Sequence, residues 1–175
     1  MKLRTTLVAS LLLITSLPGL ANLPEQDDIV SVMQQVADWQ IAHFHDDMER
    51  ENEWENRFNA WTYGALYIGM EKWAQMAPSD KYYQFLLEAA ANNNWDLGPG
   101  KYHADDQAVG QLYLSLYEKF QQPHMLAKVL KRTEWIMNNP SQQPMRLNHY
   151  KYTERWTWCD ALFMAPPVWA KLASI

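Results

Sequence analysis

Apolar residues recur three and four positions apart along most of the chain, which is the period of an amphipathic α-helix. The first such stripe consists of Ile29, Met33, Val36, Ala37 and Ile41. No stretch alternates convincingly between apolar and polar residues, although short β-hairpins would fit at 93–104 and 140–153. The pattern therefore predicts an all-α protein with six helices.

Capping residues predict where several of these helices begin. Ser79 can cap the third helix, over residues 80–91, because its hydroxyl can accept an early backbone N–H. Pro123 fits the first turn of the fifth helix, over residues 123–138, where a missing N–H has no intrahelical partner to lose. The fourth helix is predicted to span Asp105–Phe120 without interruption.

The six helices form three hairpins, whose second members begin near residues 57, 105 and 156. A spacing of about 50 residues is longer than that of common helical repeats. The last helix has to accommodate Pro166 and Pro167, so we expect it to be bent or to begin later than Trp156. Because each second helix is a return arm, the three should run in the same direction and share one rim at their N-termini.

Chemically interesting residues lie near this predicted rim. They are Trp61, the HADD stretch His103–Asp106 and the WTWCD stretch Trp156–Asp160. Asp160 lies among apolar residues, and an apolar wall of Trp156 and Trp158 can raise the pKa of its carboxyl group until it donates a proton. A helix N-terminus has the opposite effect, and Asp160 as a simple N-cap is an equally good interpretation.

The acidic pair Asp105 and Asp106 offers a second carboxyl group at the rim. Adjacent side chains diverge, so only one of them should face the same site as Asp160. Two carboxyl groups on one rim suit acid–base catalysis on a sugar, although both acids could simply complement a helix dipole. Trp61 and Trp158 have faces that could stack on sugar rings or pack in the core. Core packing is predicted for Trp39, Trp73, Trp135 and Trp169.

The remaining polar clusters predict little chemistry. His43 and His45 of the HFHDD stretch are two residues apart and diverge on a helix, so we predict no metal site. The single cysteine, Cys159, excludes an intrachain disulfide and is expected to be a small buried filler. The loop Pro140–Arg155 is basic, and its charged and titratable residues include Arg146, His149, Lys151 and Arg155. Such a loop could bind an anionic substrate, or it could simply be exposed to solvent.

Composition limits the class of protein. The chain has 175 residues, 48% of them hydrophobic, and a net charge of −5, which argues for one domain or part of one and against nucleic acid as a partner. Lys2 and Arg4 precede the apolar segment Leu7–Leu17, and Ala21 ends a small-residue cleavage site. We therefore predict a signal peptide at 1–21, a domain at 22–175 and export to a periplasm, with an uncleaved anchor as the alternative.

Three segments together resemble the unsaturated rhamnogalacturonyl hydrolases of glycoside hydrolase family 105, which are close to the unsaturated glucuronyl hydrolases of family 88. The segments are NAWTYGALYIGM (Asn59–Met70), YHADDQAVGQLYLSLY (Tyr102–Tyr117) and RWTWCDALFMAPPVWAKL (Arg155–Leu172). The resemblance implies an (α/α)6 toroid, a ring of six helical hairpins. It also implies that this chain supplies half of the ring, with three further hairpins expected beyond Ile175.

The resemblance further implies a reaction. Members act on oligosaccharides that end in a 4,5-unsaturated uronic acid, hydrate the double bond and release the adjoining sugar, without a metal or an organic cofactor. By motif position, Asp160 matches the general acid/base and Asp105 matches a second essential aspartate. The substrate-binding positions implied are Trp61, His103, Asp106, His149 and Trp158.

Two rival interpretations also fit the sequence. One is a family 88 type of unsaturated glucuronyl hydrolase that acts on glycosaminoglycan fragments. The other is a helical-repeat binding module without chemistry, since Ala108–Phe120 would pass for a repeat helix. The long repeat spacing and the acidic, tryptophan-rich rim argue against the second. The source polysaccharide and the oligomeric state are left open.

Overall fold

The computed structural model describes residues 23–45, 57–143, 156 and 158–175. The proposed signal peptide, most of the basic loop at 140–155 and its His149 lie outside the described residues, so those predictions stay predictions. In the described part of the chain, all regular structure is helical, and none of its helices is long and apolar enough to cross a membrane. The all-α prediction is confirmed.

Seven α-helices and a short 3₁₀ turn, Asp105–Gln107, make up the described structure. The α-helices are α1 Gln26–Ala42, α2 Trp61–Met76, α3 Lys81–Asn92, α4 Gly110–Phe120, α5 Pro123–Asn138, α6 Ala161–Met164 and α7 Pro166–Leu172. Residues 93–104 form turns and bends, so the β-hairpin considered there does not form.

Two helices begin at or next to the predicted residue, although the N-cap of α3 is Asp80 and not Ser79. The backbone N–H of Lys81 lies 3.4 Å from Ser79 Oγ, and α3 begins at Lys81, one residue later than expected. Helix α5 begins at Pro123 and ends at Asn138, as predicted. The last helix is broken at Ala165, because Pro166 has no N–H to continue the ladder of α6, and the expected bend is confirmed.

The prediction of one continuous helix over 105–120 is wrong in its first turn. The backbone carbonyl of Asp106 accepts a hydrogen bond of 2.8 Å from the N–H of Gly98, in the loop before it. This carbonyl is thereby drawn out of the helical ladder, where it would otherwise bond to the N–H of Gly110. The chain instead makes the 3₁₀ turn, and regular α-helix starts at Gly110.

Helices α2, α4 and the α6–α7 pair form an inner row and run in the same direction. A Cβ built on Gly64, near the start of α2, would stand 3.0 Å from Ala108 Cβ, just before α4. The amide of Gln111, early in α4, donates to the carbonyl of Phe163 in α6 at 2.7 Å. Towards the far end, Lys171 of α7 donates to Ser115 Oγ at 2.7 Å. The N-terminal ends of these helices therefore lie side by side, and the predicted common rim is confirmed.

Helices α1, α3 and α5 pack outside this row, and the core between the layers is rich in tyrosine and leucine. Its largest fully buried side chains include Tyr67, Tyr82, Leu86, Leu112, Tyr113, Leu114 and Leu116. The predicted stripe of α1 is only partly right. Ala37 is buried and Met33 and Ile41 pack against the core, whereas Ile29 and Val36 are exposed.

Some of the single residues predicted for the core are buried or half-buried, and others are exposed. Trp73 is buried, and Trp135 and Trp169 are half-buried. Trp39 is 58% exposed, and its ring stacks on His43 at 4.3 Å, so its assignment to the core is wrong. Cys159 is exposed rather than buried, because it lies in the turn that precedes α6 at the surface of the rim.

Candidate active site

Two segments that precede inner helices meet at the rim and enclose a cavity of about 260 Å³, which we call the site cavity. One segment leads through the 3₁₀ turn into α4, and the other leads into α6. Packing of the 3₁₀ turn against α6 brings the two segments together. The residues that line the site cavity are His103, Ala104, Asp105, Trp156, Trp158, Asp160 and Ala161.

Asp105 and Asp160 face the same cavity from the two segments. Burial raises the pKa of the Asp105 carboxyl group, the charge of His103 opposes this rise, and the negative charge of Asp160 adds to it. Asp160 is exposed, so the apolar wall expected beside it from Trp156 and Trp158 does not bury its side chain. Its side chain makes no capping hydrogen bond to α6, which argues against the interpretation of Asp160 as a simple N-cap.

His103 stands between the two adjacent aspartates. Its Nδ1 lies 3.5 Å from Asp106 Oδ2, and its Nε2 lies 3.8 Å from Asp105 Oδ2. The contact with Asp106 is the main reason that the pKa of His103 is raised, and the negative charges of Asp105 and Asp160 add to it while burial opposes it. The site therefore favours a positive imidazolium at the wall of the site cavity.

Asp106 lies behind this wall and holds the loop that forms it. Its Oδ2 accepts a hydrogen bond of 2.9 Å from the N–H of Gly100, and Arg57 Nη2 lies 3.8 Å from its Oδ1. Arg132 donates to the carbonyls of Gly98 and Gly100 at 3.0 and 3.3 Å. Asp106 leaves no room for a Cβ at either glycine. The loop is thus fixed by charged groups on both sides.

Trp156 and Gln107 also stabilise the loop that forms the wall of the site cavity, and Gln107 connects it to α7. The indole N–H of Trp156 donates to the carbonyl of Tyr102 at 2.8 Å, and Trp156 has a left-handed backbone with φ 52°. This conformation costs a bulky residue about 1–2 kcal/mol, so surrounding contacts must hold it. Buried Gln107 accepts the indole N–H of Trp169 at 2.8 Å, and its amide lies 3.4 Å from the carbonyl of His103.

The structure brings four of the seven predicted site residues to one cavity: His103, Asp105, Trp158 and Asp160. Asp106 lies behind the wall of that cavity, and Trp61 is the first residue of α2, 44% exposed, and is not part of the lining. His149 lies outside the described residues. Sequence reasoning missed Gln107 and Arg132. A signal for Gln107 exists, since it is a polar residue at the start of an apolar run that includes Ala108 and Val109.

The part of the chain that the structure describes has no group of three or more His, Cys, Asp or Glu side chains arranged to hold a metal ion. His43, the residue after the end of α1, has its Nδ1 2.7 Å from the carbonyl of Trp39 in the last turn of that helix. His45 is exposed, and the rest of the HFHDD stretch lies outside the described residues.

The chain is also similar in sequence to known proteins. The sequence profile of Glycosyl Hydrolase Family 88 matches residues 32–175. The chain is 30% identical over 159 residues to an unsaturated 3S-rhamnoglycuronyl hydrolase of Alteromonas sp. (strain LOR), which covers 81% of this chain and 38% of the relative. It is 30% identical over 118 residues to a protein of the same name from Formosa agariphila, covering 62% of this chain and 30% of the relative. The chain therefore spans about a third of the length of these relatives.

Proposed function

Because the chain belongs to Glycosyl Hydrolase Family 88, we propose that it carries part of the active site of a hydrolase acting on oligosaccharides that end in an unsaturated uronic acid. The observation that carries this proposal is the convergence of Asp105 and Asp160 in one tryptophan-lined cavity. The printed names of the two relatives, unsaturated 3S-rhamnoglycuronyl hydrolases, support the substrate class.

The proposed reaction is hydration of the 4,5 double bond of the terminal uronate. A carboxylic acid gives its proton to C4, and water adds at C5 after losing a proton to a carboxylate. The hemiketal formed in this way opens and expels the adjoining sugar. The sum of these steps consumes one water molecule and needs neither an oxidant nor a reductant.

Four residues that line the site cavity have a role in this scheme. Asp160 reaches open space in the cavity, and we assign to it proton delivery and recovery. Burial, together with the negative charge of Asp160, raises the pKa of Asp105, so this carboxyl group holds a proton more readily than a free aspartate and can take part beside Asp160 in the proton transfers. A protonated His103 would face the negative carboxylate of the substrate, and the exposed indole of Trp158 would stack on a sugar face.

The finer assignments belong to the same proposal. We propose rhamnose as the adjoining sugar, as in the rhamnogalacturonyl hydrolases of family 105, because the names of both relatives contain rhamnoglycuronyl. A family 88 glucuronyl hydrolase would differ in that sugar. We also propose export to the periplasm after cleavage at Ala21. N-terminal sequencing of the protein recovered from a periplasmic extract checks this, and an N-terminus at Met1 would contradict it.

The test of the function is Asp160→Asn in the protein that carries this sequence, at its full natural length. Asn keeps the shape of the side chain but cannot supply the proton. We expect kcat to fall by about two to four orders of magnitude, the range for general acid–base catalysis, with little change in substrate affinity. Loss of the ultraviolet absorbance of the unsaturated uronate reports the rate.

Asp80→Asn is the matched control, because Asp80 is an exposed aspartate immediately before α3, and α3 contributes no residue to the lining of the site cavity. It should keep wild-type turnover and the wild-type melting temperature. Near-normal turnover by Asp160→Asn would overturn the assignment of the acid. Substrate binding without any turnover by the wild-type protein would favour the binding-module alternative.

A further inference from the structure

A second cavity of about 340 Å³ lies between α5 and the loop that leads to His103, and we call it the basic cleft. One face of α5 lines it with side chains three and four residues apart, and the loop supplies the opposite wall. Its lining residues are Asp96, Leu97, Lys101, Lys128, Lys131, Arg132 and Trp135. None of these residues belongs to the site cavity.

The charge of the basic cleft is opposite to that of the chain. It holds four cations and one carboxylate, whereas the whole chain has a net charge of −5. Lys128 pairs with Asp96 and donates to the carbonyl of Asn94. Lys131 is exposed and has no ion-pair partner among the described residues. A cleft lined mainly by one sign of charge concentrates ions of the opposite sign.

The cleft also has free donors in fixed places. Arg132 is half-buried and uses two N–H groups on the carbonyls of Gly98 and Gly100. A guanidinium has five donors and an ammonium has three, so Arg132 and Lys128 retain donors beyond those contacts. These two cations are held in position by the fold, and a ligand would not have to order them.

An indole supplies the apolar wall of the cleft. Trp135 is half-buried, Lys101 Nζ lies 3.9 Å from the centre of its ring, and the ring of Tyr102 lies 5.4 Å away. A flat apolar surface beside several cations matches a ligand that combines a C–H face with negative charge. A uronate residue of an oligosaccharide has both features.

We propose that the basic cleft is a second carbohydrate-binding site, which holds an anionic oligosaccharide of the uronate type outside the site cavity. The ligand class follows from the lining of the cleft itself and does not depend on the proposed reaction. The cleft would keep an acidic polymer or its fragments near the protein in spite of the negative charge of the chain as a whole.

The test uses the purified chain and trigalacturonate, a saturated sugar that offers no double bond for hydration. Calorimetry measures affinity, and the indole N–H signals in nitrogen-15 NMR spectra report the place of binding. We expect saturable binding that moves the signal of Trp135. Lys131→Gln and Lys101→Gln should each weaken it by about fivefold, the upper end for one exposed ion pair.

Lys119→Gln is the matched control, because Lys119 also lies over an aromatic ring, at 4.3 Å from the centre of Tyr83, but outside the cleft. It should bind trigalacturonate as the wild type does. Three other ligands test which property of trigalacturonate matters. Maltotriose is a sugar without charge, and citrate is an anion without a sugar. A short oligothymidylate tests whether the cleft prefers a nucleic acid.

Several results would overturn the proposal. Equal binding of maltotriose would remove the role of charge, and equal binding of citrate would reduce the cleft to a general anion site. Tighter binding of oligothymidylate would reassign it to nucleic acid. Shifts confined to Trp158 would place the sugar in the site cavity instead. Because trigalacturonate is not a substrate for hydration, none of these results bears on the proposed catalytic role of Asp160.

Discussion

At the scale of single residues, ionisation of the Asp105 carboxyl group in the site cavity lowers the stability of the folded chain. The folded-state pKa of this carboxyl group is raised, mainly by burial, from an ordinary value of about 3.9. A raised folded-state pKa means that the folded chain holds the proton more tightly than the unfolded chain. The contribution of Asp105 to stability is therefore fully present below about pH 3.9 and is lost as the pH rises through the folded-state pKa.

Asp105→Asn removes this loss, so we expect the variant to melt at a higher temperature than the wild type at pH 7. At pH 3 the two should melt alike. Thermal melts at both pH values measure the difference. As a contrast, Asp106→Asn should melt lower at pH 7, because it weakens the partly buried contacts of Asp106 with Arg57 and His103. A lower melting temperature for Asp105→Asn at pH 7 would contradict the argument.

The sequence allowed part of this residue-level picture to be predicted. The two motifs predicted that Asp105 and Asp160 would share a rim, because both lie near the N-terminal ends of inner helices. The sequence pattern did not predict which of the two aspartates would be buried, because burial depends on how the segment before α4 packs against the segment before α6. The exposed position of Trp39 was missed for a related reason, because a helical stripe does not show where its buried edge ends.

At the scale of elements, close packing of α2 on α4 depends on Gly64. A Cβ at this position would stand 3.0 Å from Ala108 Cβ and 3.1 Å from the backbone nitrogen of Val109. Gly64→Ala should therefore push the two helices apart and destabilise the fold by about 1–3 kcal/mol. Gly69, in the same helix, has nothing within 4 Å of its Cβ position.

Gly69→Ala is the control for this prediction, and it should stabilise the protein by about 0.5–1 kcal/mol through higher helix propensity. Urea unfolding followed by circular dichroism measures both variants. Equal changes in the two variants would mean that the α2–α4 contact is loose enough to accept a methyl group.

Helix ends were predictable where one residue decides them. Pro123 and the proline pair after Ala165 determine backbone geometry locally, so α5 and the broken last helix follow from sequence. The 3₁₀ turn at Asp105 was not predictable in this way. It results from a hydrogen bond between Asp106 and Gly98, which are eight residues apart, and no local pattern encodes that contact.

At the scale of the whole molecule, the outer face of α1 has an exposed apolar stripe. Its residues are three or four positions apart, and each is between 45% and 60% exposed: Ile29, Val32, Val36 and Trp39. Contiguous apolar surface of this kind promotes association. The sequence predicted an amphipathic α1 and assigned Ile29, Val36 and Trp39, but not Val32, to its buried side.

We expect the 175-residue chain to self-associate through this stripe. Val32→Lys combined with Val36→Lys should shift it towards the monomer without unfolding it, because both positions are exposed on a helix. Light scattering during size-exclusion chromatography at several concentrations measures the mass. Met137→Lys, at an exposed apolar position on α5, is the control and should leave association unchanged. A wild-type chain that stays monomeric at the highest concentration would contradict the prediction.

The segment between Gly98 and His103 is a wall shared by the site cavity and the basic cleft. Arg132 bonds to the carbonyls of Gly98 and Gly100 from the cleft, and Asp106 bonds to Gly100 from behind the cavity. Two ligands that bind on opposite sides of one wall can be thermodynamically linked through it. If occupation of the cleft changes affinity in the cavity by some factor, occupation of the cavity must change affinity in the cleft by the same factor. A sugar bound in the basic cleft would then change substrate affinity in the site cavity, in addition to keeping the oligosaccharide near the protein.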